Sequence, residues 1–335
     1  MKIAVLSGKG GTGKTLVSVN LASYIGLKSD SITQKVQNVI YADCDVEEPN
    51  GHLFFKPNEK TETQVTVLVP QFDNEKCTSC RACVDFCKFN ALAMIKKPML
   101  FPEICHACGG CAKVCPTGAI TEVTKNVGNV KNGLSVPQSI CGAQNTSTKG
   151  EVTVLTGTMN TGETSGTPII GEIYHEIDEL TKNKSNSMVV VDCPPGSACL
   201  AMDAIKDADF CVLVAEPTVF GTHNFAMVHN LVKLFKKPFG AVLNKAPRTD
   251  GNGDGVDGEN PSKEYCSKQG IPILAEIPFS HDLGELNSNG KIIVHEKNEY
   301  ALLFKGLYNR IEKQFLVQTT NKSVSSSINK NGGQK

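Results

Sequence analysis

Gly8-Lys9-Gly10-Gly11-Thr12-Gly13-Lys14-Thr15 is the stretch on which the fold of this chain turns. It spells G-x-x-x-x-G-K-T, the pattern of a phosphate-binding loop. An apolar run, Lys2-Ile3-Ala4-Val5-Leu6, precedes it and reads as a buried strand. A run with helical spacing follows, Leu16-Val17-Ser18-Val19-Asn20-Leu21-Ala22-Ser23-Tyr24-Ile25. Strand, loop and helix in that order let successive N–H groups of Gly8, Gly10, Gly11, Thr12 and Gly13 turn inward on phosphate oxygens. Lys14 is then expected to reach the β- and γ-phosphates, and the Thr15 hydroxyl to hold Mg²⁺. The competing reading is a plain Gly-rich turn.

The rest of the composition narrows the class. With 335 residues and 40% hydrophobic content, the chain can fill one large α/β core and carry something small besides. Its 34 basic and 34 acidic side chains cancel, which argues against a broad nucleic-acid footprint. No apolar stretch approaches bilayer length and no signal peptide precedes the first strand, so a cytoplasmic protein without a membrane partner is expected. Fourteen cysteines in that setting point to metal or redox chemistry rather than disulfides.

Lys9, at the second position of the loop, is a second lysine. With it the loop resembles the deviant Walker A class of P-loop ATPases: MinD, ParA, Mrp-type ATPases and the nitrogenase iron protein. The resemblance implies an ATP-dependent dimer, of two copies or with a related subunit, in which Lys9 crosses to the partner's nucleotide. A lysine delivered that way supplies charge to the transferring phosphoryl group, as an arginine finger does.

A second strand, residues 36 to 42, runs into Asp43-Cys44-Asp45. By the same resemblance this is switch I, with Asp45 positioning the attacking water and Asp43 near Mg²⁺. The bland alternative is a strand-end turn with a solvated acid pair. Residues 46 to 65 read as loop and irregular structure. Further on, Met188-Val189-Val190-Val191-Asp192 is an apolar run ending in an acid, the Walker B pattern, and Asp192 is expected in the Mg²⁺ shell. Pro194-Pro195-Gly196 would be switch II.

Between these segments lie two cysteine runs, Cys77, Cys80, Cys83, Cys87 and Cys105, Cys108, Cys111, Cys115. Both read C-x₂-C-x₂-C-x₃-C, and every cysteine recurs at one offset, so the run is duplicated. The spacing resembles that of two-cluster bacterial ferredoxins, where the fourth cysteine of each run serves the other cluster. The resemblance assigns Cys77, Cys80, Cys83 and Cys115 to one [4Fe–4S] cluster, and Cys105, Cys108, Cys111 and Cys87 to the second. Zinc sites and free thiols are the alternatives; zinc usually takes separated C-x₂-C hooks. One departure is Lys88, where the second run has Pro116. This unit, residues 66 to 125, reads as inserted into the ATPase domain, because the ATPase pattern resumes after it.

Residues 126 to 168 are rich in Gly, Thr, Ser and Asn, with a short β-like run at 151 to 155, and residues 169 to 181 have helical spacing. Glu163 reads as a capping residue rather than a site residue. Cys199, seven residues after Asp192, matches a cluster-ligating offset of the nitrogenase iron protein; a buried helix residue is the blander reading. Cys141 is a guess for its companion. Strands are expected at 209 to 215, 239 to 243 and 271 to 277, alternating with helices at 222 to 235 and 298 to 315. In the resembled class Asn244 would read the adenine, with backbone near Pro278 completing that pocket. Asp250-Gly251-Asn252-Gly253-Asp254-Gly255 begins like a calcium loop, but Pro261 stands where the bidentate Glu belongs. Residues 317 to 335 read as a disordered tail without the apolar face of a membrane-binding helix.

The fold expected is therefore α/β: a P-loop domain over 1 to 65 and 126 to 316, with a mostly parallel sheet between helices, and a small inserted α+β ferredoxin unit. Two functions compete. One is an ATP-gated carrier passing electrons through two [4Fe–4S] clusters to a redox partner. The other is an ATPase that assembles iron–sulfur or metal cofactors into a client protein. A partitioning ATPase leaves the cysteines unexplained.

Overall fold

The computed structural model describes residues 1–28, 38–135, 151–184, 186–247 and 260–331, with side chains as far as residue 320. Cys141 and the 250–255 loop lie outside the described residues.

In chain order, β1 (Lys2–Ser7) feeds the phosphate loop and α1 (Lys14–Lys28); β2 (Asn38–Asp43) and α2 (Gly51–Phe55) follow. The long β3 (Asn58–Phe72) leads out to α3 (Ala82–Phe86), β4 (Leu92–Met94), β5 (Pro98–Leu100) and α4 (Gly110–Lys113), and the long β6 (Ile120–Ser135) leads back. Then come β7 (Val152–Met159), α5 (Thr167–Thr181), β8 (Ser187–Asp192), α6 (Cys199–Ile205), β9 (Phe210–Ala215) and α7 (Val219–Leu234). The chain closes with β10 (Phe239–Ala246), α8 (Pro261–Gln269), β11 (Ile273–Pro278), α9 (His281–Ser288), α10 (Ile293–Glu296) and α11 (Asn298–Asn331).

Nine strands form one sheet in the order β11-β10-β9-β1-β8-β2-β7-β6-β3. The seven from β11 to β7 are parallel, whereas β6 and β3 join antiparallel. Crossover helices cover both faces, so β1, β8 and β9 are buried along almost their whole length and their interiors are continuous apolar runs. One core lies under α5, α6 and α7, the other under α1 and α11. This is the P-loop NTPase sheet the loop predicted.

Three expectations change. Residues 58 to 65 are not loop but the first half of β3, whose alternating Thr61, Thr63, Val65, Val67 and Val69 fit a half-exposed strand. The strands also run straight through the expected boundaries at 66 and 125, so the cysteine-bearing unit proper sits between Phe72 and Ile120. A bond from the Asp73 N–H to the Ala119 carbonyl (2.8 Å) closes its neck. Third, the expected tail begins as helix: α11 continues through Asn331, and the Gln318 side chain pairs with both the N–H and the carbonyl of Phe239 at 3.0 Å. β3 is an edge strand, and Glu59, Lys60, Glu62 and Pro70 blunt it against further pairing. Among the described residues, no helix is long and apolar enough to cross a membrane.

Candidate functional site

The carboxyl ends of the parallel strands converge on the phosphate loop, where an open α/β sheet binds ligands. A cavity of about 680 Å³ opens there, lined by Lys9, Gly13, Lys14, Thr15, Asp45 and Asn244 among others. Gly13 is held at φ +96°, and a Cβ on it would lie 2.0 Å from the Asn244 amide. Only glycine meets both demands. The loop is braced from inside: the Ser7 and Thr12 hydroxyls donate to the Lys9 carbonyl at 2.9 and 3.0 Å.

Of the residues expected at a nucleotide, Lys9, Gly10, Gly11, Gly13, Lys14, Thr15, Asp45, Asn244 and Pro278 line this cavity, and Gly8, Thr12, Asp43 and Asp192 do not. Lys14 is buried and donates to Asp192 Oδ1 at 2.6 Å and to Asp45 Oδ2 at 3.3 Å. Burial opposes its charge, yet Asp192, Asp45 and Asp43 together hold its pKa above that of an ordinary lysine. Asp192 Oδ2 accepts from the Tyr41 hydroxyl at 3.0 Å. The Asp43 carboxylate accepts from the N–H groups of Asn50 and Gly51 at 3.0 and 2.8 Å, and of Asp45 at 3.2 Å, so it shapes the turn after β2. Asn244 donates its Nδ2 to the Thr12 carbonyl at 2.8 Å, which ties the end of β10 to the loop. Pro278, Phe279 and Ser280 line the same cavity at the end of β11.

Sequence reasoning gave Glu216 no role. The signal was there: an acid directly after the apolar run of β9, much as Asp192 ends the apolar run of β8. The Glu216 carboxylate takes Lys9 in a close ion pair, accepts from the Thr218 hydroxyl at 3.1 Å and faces Lys245 at 3.5 Å. Burial works against its charge, but these donors hold its pKa below the usual carboxylate value. Lys245 also donates to the Gly11 carbonyl at 2.9 Å. Within one chain, then, Lys9 is held by Glu216.

Asp43 gives the site a pH signature. Its complete burial and the nearby Asp192 push its pKa from 3.8 up to about 7, against the pull of Lys14 and the Gly51 N–H. The native carboxyl therefore holds its proton where the unfolded one has lost it. Stability of the nucleotide-free protein is expected to fall as pH rises from about 4 to about 7, by at most about 1.4 kcal/mol per pH unit, and to level off above. Urea midpoints at pH 5 and pH 7.5 measure this. A flat profile, or an equal slope in Asp43→Asn, would contradict it.

The cysteine unit forms a second centre. Cys77, Cys80, Cys83 and Cys115 line one cavity, with Met94, Ala119 and Ile120 in its walls. Cys87, Cys105, Cys108 and Cys111 line another, with Phe86 and Leu92, and with the stacked rings of Phe89 and His106, 3.9 Å apart. These are the two crosswise sets. Four thiols on an apolar wall are the donor set that a [4Fe–4S] cluster takes. Among the described residues, no group of three or more His, Cys, Asp or Glu side chains is placed to hold a metal ion. Cys199 is exposed at the start of α6. Glu163 is no cap: it pairs with Lys125 of β6 at 2.9 Å.

Known proteins resemble this chain in sequence and in fold. An uncharacterized protein of Methanocaldococcus jannaschii is 27% identical over 317 residues, 94% of this chain and 98% of its own. An iron-sulfur cluster carrier protein of Clostridium perfringens is 26% identical over 149 residues, 42% of this chain and 52% of that one. The solved structure of the septum site-determining protein MinD from Pyrococcus horikoshii, complexed with Mg-ADP, superposes with a TM-score of 0.53 at 18% identity, covering 95% and 98% of the two chains. That likeness is one of fold. Residues 3–293 match the CobQ/CobB/MinD/ParA nucleotide binding domain, and the chain belongs to that family.

Proposed function

We propose that this protein is an ATP-hydrolysing dimer whose nucleotide state governs electron transfer from its cysteine unit to a partner protein. The observation that carries the reading is the gathering of the eight cysteines into two crosswise sets, in a unit carried between β3 and β6 of the same sheet. Two [4Fe–4S] clusters held by those sets would supply one-electron carriage.

The nucleotide chemistry belongs to the chain's own residues. Gly8, Gly10, Gly11, Thr12 and Gly13 offer N–H groups to the phosphates, and Lys14 exchanges Asp192 and Asp45 for phosphate oxygens. Thr15, Asp192 and Asp43 form the Mg²⁺ side, and the Pyrococcus horikoshii protein whose fold the chain shares is complexed with Mg-ADP. Released from Lys14, Asp45 is placed to orient water. Asn244 and the backbone at Pro278 close on the base. Lys9 leaves Glu216 and reaches the nucleotide of the other subunit, whether a second copy or a related chain.

The test compares reduction of candidate acceptor proteins by the dithionite-reduced protein, with and without MgATP, in the wild type and in Lys9→Ala. ATP-dependent reduction is expected. Lys9→Ala should lower hydrolysis by roughly 10³-fold, the scale of a missing arginine finger, and leave ATP affinity within about threefold. Electron transfer indifferent to nucleotide would defeat the proposal.

A second reading draws on the Clostridium perfringens relative, which is an iron-sulfur cluster carrier protein. In it the chain delivers iron–sulfur or metal cofactors to a client, with exposed Cys199 as a ligand at the subunit interface. Transfer of labelled iron to an apo-client, lost in Cys199→Ser, would favour it over electron transfer.

A further inference from the structure

The two centres need a physical connection, and one short segment touches both. At its start, the Met159 N–H donates to the Val46 carbonyl at 2.9 Å. Val46 follows Asp45 directly, so this bond reaches switch I. The Asn160 N–H then donates to the Val127 carbonyl of β6 at 2.9 Å, and its side chain to Asn126 Oδ1 at 2.9 Å. Glu163 pairs with Lys125, one residue nearer the cysteine unit. The Thr164 hydroxyl donates to the Glu103 carbonyl at 3.1 Å, two residues before Cys105. At the far end, the Thr167 hydroxyl donates to Asp203 of α6 at 2.7 Å, the helix that follows switch II.

The packing at the switch I end leaves little slack. Val46 is fully buried, and a Cβ built on Gly166 would stand 2.3 Å from its Cγ2 and 3.5 Å from Leu200 of α6. A shift of Val46 must therefore move the segment or be blocked by it, because close-packed side chains transmit displacement. In the middle of the segment, toward the cysteine unit, the contacts are a salt bridge and a single hydroxyl on a backbone carbonyl. Such contacts can be broken and remade without unfolding anything.

We infer that residues 159–167 are the coupler by which nucleotide occupancy of switch I is felt at the Cys105 loop, with Glu163 and Thr164 as its positioning residues toward that loop. The inference rests on the ATP-gated reading and names the route of its regulation. It assigns separate roles along nine residues. Val46 and Gly166 form the input, Asn160 carries the segment along β6, and Thr164 delivers the change to the turn that leads into the second cysteine run.

Hydrogen exchange of the full-length protein, with and without Mg²⁺ and a non-hydrolysable ATP analogue, tests this. Occupancy is expected to slow exchange at residues 8–15 and also at 101–108, the latter by roughly fivefold or more. The double variant Glu163→Gln/Thr164→Val should keep the protection at 8–15 and lose that at 101–108. Thr164→Ser, which retains the hydroxyl, should behave as wild type and so separates a lost hydrogen bond from general loosening. Protection at 101–108 that survives the double variant overturns the coupler, as does a wild-type unit that ignores the nucleotide. If residues 8–15 gain no protection in the wild type, nucleotide gating itself fails, and the coupler with it.

Discussion

Lys14→Met is expected to cost the nucleotide-free protein about 3–5 kcal/mol of stability, besides abolishing nucleotide binding, because it strands buried carboxylates without their counter-ion. Lys14 is the cation that Asp192 and Asp45 share, at 2.6 and 3.3 Å, and its side chain is 6% exposed. Lys14 is therefore a structural ion in the nucleotide-free protein. Adding Asp192→Asn to Lys14→Met removes one of the stranded charges and should recover a large part of the loss. Chemical denaturation of the four proteins in this cycle gives the coupling directly. A Lys14→Met protein within about 1 kcal/mol of wild type would show the pair to be worth no more than a surface contact. The arrangement also bears on binding order. A nucleotide that draws Lys14 away leaves Asp192 uncompensated unless Mg²⁺ arrives with it, so nucleotide without Mg²⁺ should bind much more weakly than the complex.

Crosswise ligation leads to an equally sharp expectation. If each set of four thiols holds one cluster, the wild-type chain carries about eight iron atoms, and each single Cys→Ser change in a set removes about four. The informative proteins are pairs. Cys77→Ser with Cys115→Ser strikes one set twice and should still leave about four irons, though the two residues belong to different runs. Cys77→Ser with Cys87→Ser strikes both sets and should leave none, though both lie in the first run. Local ligation, each run holding its own cluster, predicts the reverse order. Anaerobic iron analysis and the spectra of the reduced proteins decide between them. Finding zinc instead of iron in the wild type would remove the redox reading altogether.

The parts of this molecule that were legible from the sequence are those whose determinants lie close together along the chain. The phosphate loop, the apolar run into Asp192 and the repeated cysteine spacing each fit within a few turns of backbone, so residue order is nearly sufficient to read them. β6 was harder. Its Gly128, Gly133, Asn126, Asn129 and Asn132 have loop composition, yet Val130 and Leu134 alternate on one face and the strand is held between β3 and β7. Neighbouring strands overrode local propensity there. The pairing of Lys9 with Glu216 joins residues far apart in sequence, and only the adjacency of β1 and β9 brings them together. Gln318 was misassigned for the opposite reason: its polar surroundings read as tail, while its amide completes the backbone pairing of Phe239 at the start of β10.

The narrow neck at Phe72 and Ile120 has an evolutionary consequence. A hairpin whose two arms pair from Asn58 to Phe72 with two register shifts, and are closed by the bond from Asp73 to Ala119, keeps its own pairing whatever its tip contains. Lengthening such a tip adds only a logarithmic entropy cost. A sheet of this kind gains or sheds a cysteine-bearing tip in a single genetic event without any redesign of the strands that carry it. The same property makes the tip a natural place to graft a foreign module.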